Sequence, residues 1–288
     1  MPEIRHATHD DLDAVFDLLS ARSRAAFGIS QVERRFVEHD FTIEGTDPFV
    51  AIEDGAIVGY AALNSAQDLA HTASDPAVGD TLLAHVEERA RERGFDSLAV
   101  VAAQEDAPLA QLVERSGFAH DCDVLRMWRV LNGDLPEPRW PEGVTVRDYA
   151  DADSERVHAL LDASYAGWDK NYVARPHADW LAFMTDHAEF DPALWFLVER
   201  DGELVGCSLH WKETNGRGWV KDIVVAESER GHGIGAALLQ HAFRTYKERG
   251  VERVGLKVDS TNPTGALRLY ERAGFVTDQT LGVWIKQL

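Results

Sequence analysis

The sequence predicts an α/β protein made of two tandem copies of one fold. Three observations carry this: an internal repeat, a proline-rich break between its two halves, and an apolar strand running through a glycine-rich loop into an amphipathic helix in the second half. In the repeat, Ile4-Arg5 matches Val146-Arg147, each leading into an acidic helix start. Ile52-Glu53-Asp54-Gly55-Ala56-Ile57-Val58-Gly59 echoes Glu199-Arg200-Asp201-Gly202-Glu203-Leu204-Val205-Gly206. Asp-Gly between apolar runs is a strong hairpin signal, so Trp195–Glu199 and Glu203–Leu209 read as paired strands. Leu82-Leu83 followed by Glu92-Arg93-Gly94 echoes Leu238-Leu239 followed by Glu248-Arg249-Gly250. Val113-Glu114-Arg115-Ser116-Gly117-Phe118 echoes Tyr270-Glu271-Arg272-Ala273-Gly274-Phe275. Between the copies, Leu135–Gly143 carries three prolines and reads as a linker. The expected division is 1–135, a linker at 136–142, and 143–288.

At 288 residues and 45% hydrophobic, the chain can bury a core in each copy. No apolar run reaches the length of a membrane span, and no signal-peptide core follows Met1. Cys122 and Cys207 form no CxxC or zinc-type cluster, which argues against a metal site and a disulfide framework. A soluble cytoplasmic protein is expected. The formal charge is −20, from 49 acidic and 29 basic residues, with no basic stripe. Nucleic acid is therefore an unsuitable partner. The acidity favours solubility and cationic substrates, and a general bias of the source proteome explains it equally well.

The second copy holds the candidate site. A strand, Val220–Val225, an acidic turn and the loop Arg230-Gly231-His232-Gly233-Ile234-Gly235-Ala236 lead into a helix over Gly235–Arg249. Leu238, Leu239, Ala242, Phe243 and Tyr246 form its apolar face. Glycines let the backbone approach a ligand, and a helix start contributes partial positive charge, so the loop suits a phosphate. A dinucleotide fingerprint is excluded, because five residues separate strand from loop and too little chain follows for the remaining strand–helix units. No Gly-Lys-Ser/Thr follows, which excludes a nucleotide P-loop.

Arg230-x-x-Gly233-x-Gly235, followed by strand Arg253–Val258 and by Asn262-x-x-x-Ala266-Leu267-x-Leu269-Tyr270-x-x-x-Gly274-Phe275, resembles the GCN5-related N-acetyltransferase (GNAT) superfamily. The resemblance implies two tandem GNAT-like domains, each a mixed, mostly antiparallel central sheet flanked by helices. It implies acetyl-CoA as cofactor, coenzyme A as product, and a small-molecule amine as acceptor, attacked directly in a ternary complex. Main-chain groups of Arg230, Gly231, His232, Gly233, Ile234, Gly235 and Ala236 would hold the pyrophosphate. Ile223, Val224 and Val225, on a strand splayed from its neighbour, would pair with the pantetheine arm. Asn262 is either a contact to that arm or a helix cap.

Tyr270 occupies the position of the general acid in that superfamily; a phenol with pKa about 10 is protonated at neutral pH and can donate to a thiolate. An alkylamine is largely protonated at pH 7, so a base is required. Asp222 is the first candidate, followed by Glu213, His210 and Asp259. His210, alternating with apolar neighbours, also reads as a hydrogen-bonded sheet residue. Tryptophans concentrate in the second copy; with Tyr165, Tyr172 and Asp169 some could line an acceptor pocket, and core packing accounts for them equally.

The first copy has Asp75-Pro76-Ala77-Val78-Gly79-Asp80-Thr81 where the second has its Arg/Gly loop, and Val113 in place of Tyr270. Asp80 would repel a phosphate, so this copy is expected to be a degenerate, non-catalytic domain; retained cofactor binding without turnover is the alternative. At full length the chain is similar to the mycothiol synthase family of tandem GNAT enzymes, through Pro136-Glu137-Pro138, Pro141-Glu142-Gly143-Val144-Thr145-Val146-Arg147, and Leu209-His210-Trp211. Those enzymes carry an acidic residue where Trp219 stands here, so an amino sugar, aminoglycoside-like or peptide amine is expected ahead of a cysteinyl–glucosamine–inositol. A non-catalytic acyl-CoA-binding sensor or scaffold is the reading from another class. His210, Glu213, Trp219 and Asp169 are the candidate acceptor contacts.

Overall fold

The computed structural model describes residues 2–30, 32–64, 76–168, 172–213 and 216–288. In chain order the elements are β1 (Glu3–His6), α1 (Leu12–Phe27), α2 (Arg34–Thr42), β2 (Asp47–Glu53), β3 (Ala56–Leu63), α3 (Pro76–Glu92), β4 (Ser97–Ala103), α4 (Ala107–Arg115) and β5 (Ala119–Val130). They continue as β6 (Val144–Asp148), α5 (Ser154–Ala166), α6 (His177–Thr185), β7 (Phe196–Arg200), β8 (Glu203–Lys212), β9 (Gly218–Val225), α7 (Ile234–Glu248), β10 (Arg253–Asp259), α8 (Ala266–Arg272) and β11 (Val276–Gln287).

The repeat read from sequence is present in the backbone. Among the described residues, only Asp54 (φ 50°) and Asp201 (φ 51°) are non-glycine residues with positive φ, and each precedes a glycine that is also positive. These are the two Asp-Gly turns, which join β2 to β3 and β7 to β8; such turns match the right-handed twist of the strands they connect. The two openings also agree. Arg5 donates to both carboxylate oxygens of Asp11 at 2.7 and 2.8 Å, and Arg147 to both of Asp153 at 2.7 Å each. Each aspartate also accepts from the backbone three residues earlier, Thr8 N–H or Ala150 N–H.

The chain forms two compact units, Met1–Val124 with Gln279–Leu288, and Leu125–Asp278. They are interleaved in sequence rather than divided at 136–142. In the first, β1, β2 and β3 form an antiparallel sheet, and the chain's last strand pairs antiparallel with β4 from Leu281↔Ala103 to Gln287↔Ser97. Leu82, Leu83 and Val86 of α3 and Leu112 and Val113 of α4 pack with Ala51, Ala61, Leu98 and Val100.

In the second unit the strand order is β10-β9-β8-β7-β6, with Leu125–Val130 of β5 beside β10. All pairs from β9 to β6 are antiparallel and β9–β10 is parallel, giving the mixed, mostly antiparallel sheet expected. One face of the sheet packs on α7, through Phe196 and Val198 against Ile234, Leu238 and Ala242. The other packs on α5 and α6, through Leu197, Cys207 and Leu209 against Val157, Leu161, Trp180 and Met184.

Candidate active site

The site begins with how β9 meets its neighbours. It pairs with β10 at two positions only, Val254↔Gly218 and Gly255↔Trp219. Glycine at 255 is required there, because a Cβ would lie 2.6 Å from the Trp219 ring and 2.7 Å from that of Trp128. Beyond these positions the strands part. Pairing with β8 continues to Val225↔Gly206, but its register shifts between Leu209↔Asp222 and His210↔Val220, leaving Lys221 as an extra residue on β9. Such a bulge bends the strand and re-aims side chains. Trp219 and Val224 pack on the α5 side, while Val220 and Ile223 pack on the α7 side. Lys221 and Asp222, although consecutive, both reach the α5 side. The Lys221 Nζ lies 5.8 Å from the ring centres of Phe183 and Trp211, and Asp222 meets Tyr165 of α5.

Between the parted strands lies a cleft of about 230 Å³. Val220–Val225 form one wall and Lys257, Val258 and Asp259 the other, with Tyr165, Trp168, Arg230, Asn262 and Tyr270 also lining it. Away from β8, the edge of β9 beyond Trp219 has no strand partner among the described residues, so its main-chain groups face the opening.

After β9, a 3-10 turn at Glu227–Glu229 leads to Arg230. Its Nε donates to the Val225 carbonyl at 3.0 Å, and its terminal nitrogens have no acceptor among the described residues. Gly231 (φ 81°) and Gly233 (φ 92°) then take left-handed conformations that side-chain-bearing residues avoid. The first backbone bond of α7 is Ala237 N–H to the Gly233 carbonyl. Consequently the N–H groups of Gly231, His232, Gly233, Ile234, Gly235 and Ala236 have no acceptor among the described residues. Six adjacent donors at a helix start are the arrangement that suits an anion. Ile234 contributes only main chain, because its side chain is buried in the α7 face.

Tyr165, Asp222 and Tyr270 are among the ionisable side chains that line the cleft. The Tyr165 hydroxyl donates to Asp222 Oδ1 at 2.6 Å. Burial, and then the Asp222 charge, push the Tyr165 phenol well above its ordinary range and raise that of Tyr270 as well. The Cys207 thiol behind them is raised in the same way. The Tyr270 hydroxyl makes no hydrogen bond among the described residues. Thus a carboxylate and a protonated phenol face one space, with a cationic loop at its edge.

Not every expected residue is there. His210 is fully buried with its ring between Phe196 and Tyr246, on the α7 side, and it shares a hydrogen bond with Ser208. Glu213 is buried and accepts from Arg217 Nε at 2.6 Å. Trp219 stacks edge-on against Trp128, 5.6 Å between centroids. None of these three lines the cleft, and Asp169 lies outside the described residues. Asp259 does line it, but its Oδ1 accepts from the N–H and hydroxyl of Thr261 at 2.7 Å each. Asn262 is not the helix cap; Gly265 is, and Asn262 Oδ1 instead accepts from Thr264 N–H at 2.9 Å. The sequence reading missed Lys257 as a lining residue, and it named Tyr165 without its bond to Asp222. Among the described residues no cluster of three or more His, Cys, Asp or Glu could hold a metal ion, and no helix is long and apolar enough to cross a membrane.

The model of the acetyltransferase (GNAT) family matches residues 155–275. A mycothiol acetyltransferase from Thermomonospora curvata is 35% identical over 246 residues, 78% of this chain and 77% of that protein. One from Streptomyces coelicolor is 30% identical over 294 residues, 95% of this chain and 91% of that protein. Among solved structures, a GCN5-related N-acetyltransferase from Sphaerobacter thermophilus superimposes with a TM-score of 0.80 at 26% identity, covering 99% of this chain and 95% of that one. A tandem GNAT protein from the clavulanic acid biosynthesis pathway shares the fold, with a TM-score of 0.74 at 18% identity, covering 100% and 98%.

Proposed function

Because the chain belongs to the GNAT acetyltransferase family, we propose that its Leu125–Asp278 unit moves the acetyl group of acetyl-CoA onto the primary amine of a small molecule, in a ternary complex. The observation that carries this is the meeting of Asp222, Tyr270 and Arg230 in one cleft along the unpaired edge of β9. Acetyl-CoA fits the residues present. The unpartnered amides of Gly231–Ala236 and the terminal nitrogens of Arg230 suit a pyrophosphate. The edge at Ile223, Val224 and Val225 suits an amide-bearing arm, much as a strand edge accepts a further strand. Asn262 shapes the turn on the far side of the cleft.

When bound, acetyl-CoA supplies an acetyl group already activated as a thioester. Asp222 accepts a proton from the incoming ammonium, which frees the nitrogen lone pair for attack. Tyr270, kept protonated by burial and by the Asp222 charge, donates to the sulfur as negative charge develops on it. Tyr165 and Trp168 present aromatic surface to the acceptor.

A second acceptor, the cysteinyl–glucosamine–inositol amine, is favoured by the relatives named as mycothiol acetyltransferases. Trp219, at the start of β9, offers that acceptor no charge, and its ring is committed to packing on Trp128.

The first copy of the repeat, 1–135, is proposed to be non-catalytic. Arg115 pairs with Asp80 at 2.8 Å and donates to the Pro76 carbonyl at 3.0 Å, occupying the first turn of α3. Val113, the counterpart of Tyr270, is fully buried and offers no proton. Neither Cys122 nor Cys207 forms a disulfide, in keeping with a cytoplasmic setting, where thiols are kept reduced.

Calorimetry with acetyl-CoA, and thiol release over a panel of amino sugars, aminoglycosides, peptides and the cysteinyl–glucosamine–inositol, test the reading. Cofactor binding with thiol release on at least one amine supports it. Binding without turnover on any amine would instead favour an acyl-CoA sensor.

A further inference from the structure

We infer that Tyr165 is a positioning residue that fixes which oxygen of Asp222 receives the proton, an inference that rests on Asp222 being the base. The bulge at Lys221 turns Asp222 to the α5 side of the sheet, where the last turn of α5 places Tyr165. The phenol donates to Oδ1 at 2.6 Å, within the range of short, charge-assisted bonds. Among the described residues, Oδ2 is left with only the Lys221 ammonium at 3.9 Å, beyond hydrogen-bond reach. Oδ1 is therefore committed and Oδ2 is the oxygen that faces an incoming amine. In the step, one N–H bond of the ammonium breaks, its proton goes to Oδ2, and the electron pair stays on nitrogen.

Tyr165 is itself held. Its ring stacks on Tyr172 with 5.5 Å between centroids and 19° between planes, and the Tyr172 hydroxyl donates to Asp162. A carboxylate held by one buried donor keeps one rotamer, whereas an unheld one samples several and loses part of its effective concentration. The ionisable groups around Asp222 are Tyr165 from α5, Tyr172 from the segment after it, Lys221 from β9 itself, Cys207 from β8 and Tyr270 from α8. Lys257 and Asp259 of β10 line the facing wall. Among these, Tyr165 alone makes a hydrogen bond to the carboxylate.

The test pairs Tyr165→Phe with Asp222→Asn in the full-length protein. Carbon-13 NMR of aspartate-labelled protein follows the Asp222 carboxyl, assigned as the signal lost in Asp222→Asn. Losing a donor to the carboxylate disfavours its ionised form. In Tyr165→Phe that signal is therefore expected to change with a midpoint at higher pH than in the wild type. With glucosamine and L-cysteine as probe amines, kcat/KM is expected to fall about tenfold while the acetyl-CoA Kd stays within about twofold. A Tyr165→3-fluorotyrosine protein, a stronger donor of the same shape, should move the midpoint down, and it replaces Tyr165→Phe should that variant fail to fold. An unmoved midpoint, or a moved midpoint with unchanged kcat/KM, overturns the inference. If Asp222→Asn retains full activity, the assignment of the base fails instead, whatever Tyr165 does. If neither probe amine is turned over, the midpoint alone decides for or against the bond.

Discussion

The Arg230 Nε donates to the main-chain oxygen of Val225 at 3.0 Å, tying the cation of the glycine loop to the last residue of β9. One nitrogen is spent on alignment, and in the proposed function the two that remain would fork onto the pyrophosphate. A guanidinium held in this way loses little rotamer freedom on binding, which a lysine ammonium could not match. Arg230→Ala is expected to weaken acetyl-CoA binding by about ten- to a hundredfold, the worth of one charge-assisted contact to phosphate. Arg230→Lys should recover only part of that. Calorimetry on both variants checks it, and wild-type affinity in Arg230→Ala would mean that this loop does not hold the pyrophosphate.

The loop glycines separate backbone strain from crowding. Nothing lies within 4 Å of a Cβ built at Gly231 or Gly233, but both have positive φ. Alanine at either position is expected to cost about 1–2 kcal/mol and to weaken cofactor binding further by tilting the amides. Gly235 has an ordinary φ, and a Cβ there meets the end of the Leu269 side chain at 3.1 Å and that of Val225 at 4.0 Å. Gly235→Ala should therefore cost less than about 1 kcal/mol. Thermal melts with and without acetyl-CoA rank the three, and equal losses at all of them would contradict the conformational argument.

Tyr270→Phe is expected to lower kcat by about ten- to a thousandfold while leaving the acetyl-CoA Kd unchanged, as removal of a proton donor should. Burial and the Asp222 charge raise the phenol, so its ionisation lies above the usual tyrosine range. Wild-type activity is therefore expected to show no alkaline loss from Tyr270 below about pH 10, which a pH–rate profile checks. Full activity in Tyr270→Phe at every pH would remove Tyr270 from the chemistry.

What could be read from the chain and what could not divide along physical lines. The Asp-Gly turns, the loop glycines and the helix behind them are local features, and each lies within a residue or two of its expected place. The surroundings of Asp222 were not legible, because side chains alternate strictly only along an unbroken strand. Counting by twos from Trp219 assigns Asp222 to the α7 face, and one extra residue at Lys221 reverses that. Which of its two readings His210 takes was not legible for the related reason that alternation does not say which face is open; its own face is closed by α7. The place of β11 in the first unit depends on its pairing with β4, far earlier in the chain, and no local pattern encodes it.

His210 carries the last prediction, which concerns acid stability. Its ring is fully buried, Nδ1 has no hydrogen-bond partner among the described residues, and burial followed by the nearby His241 pushes its pKa down to about 3. In the unfolded chain the same imidazole titrates near 6.5. Between those two values the unfolded state holds the extra proton, so stability rises with pH across that window. The contribution is complete above about pH 6.5 and is lost as pH falls toward about 3. His241, also pushed down by burial, adds to the same slope. His210→Gln keeps a hydrogen-bonding group beside Ser208 but has nothing to titrate. Denaturant midpoints at pH 5 and pH 7.5 should lie closer together in His210→Gln than in the wild type, though still apart because His241 remains. An identical separation in the two proteins would show that His210 is not the source of the acid sensitivity.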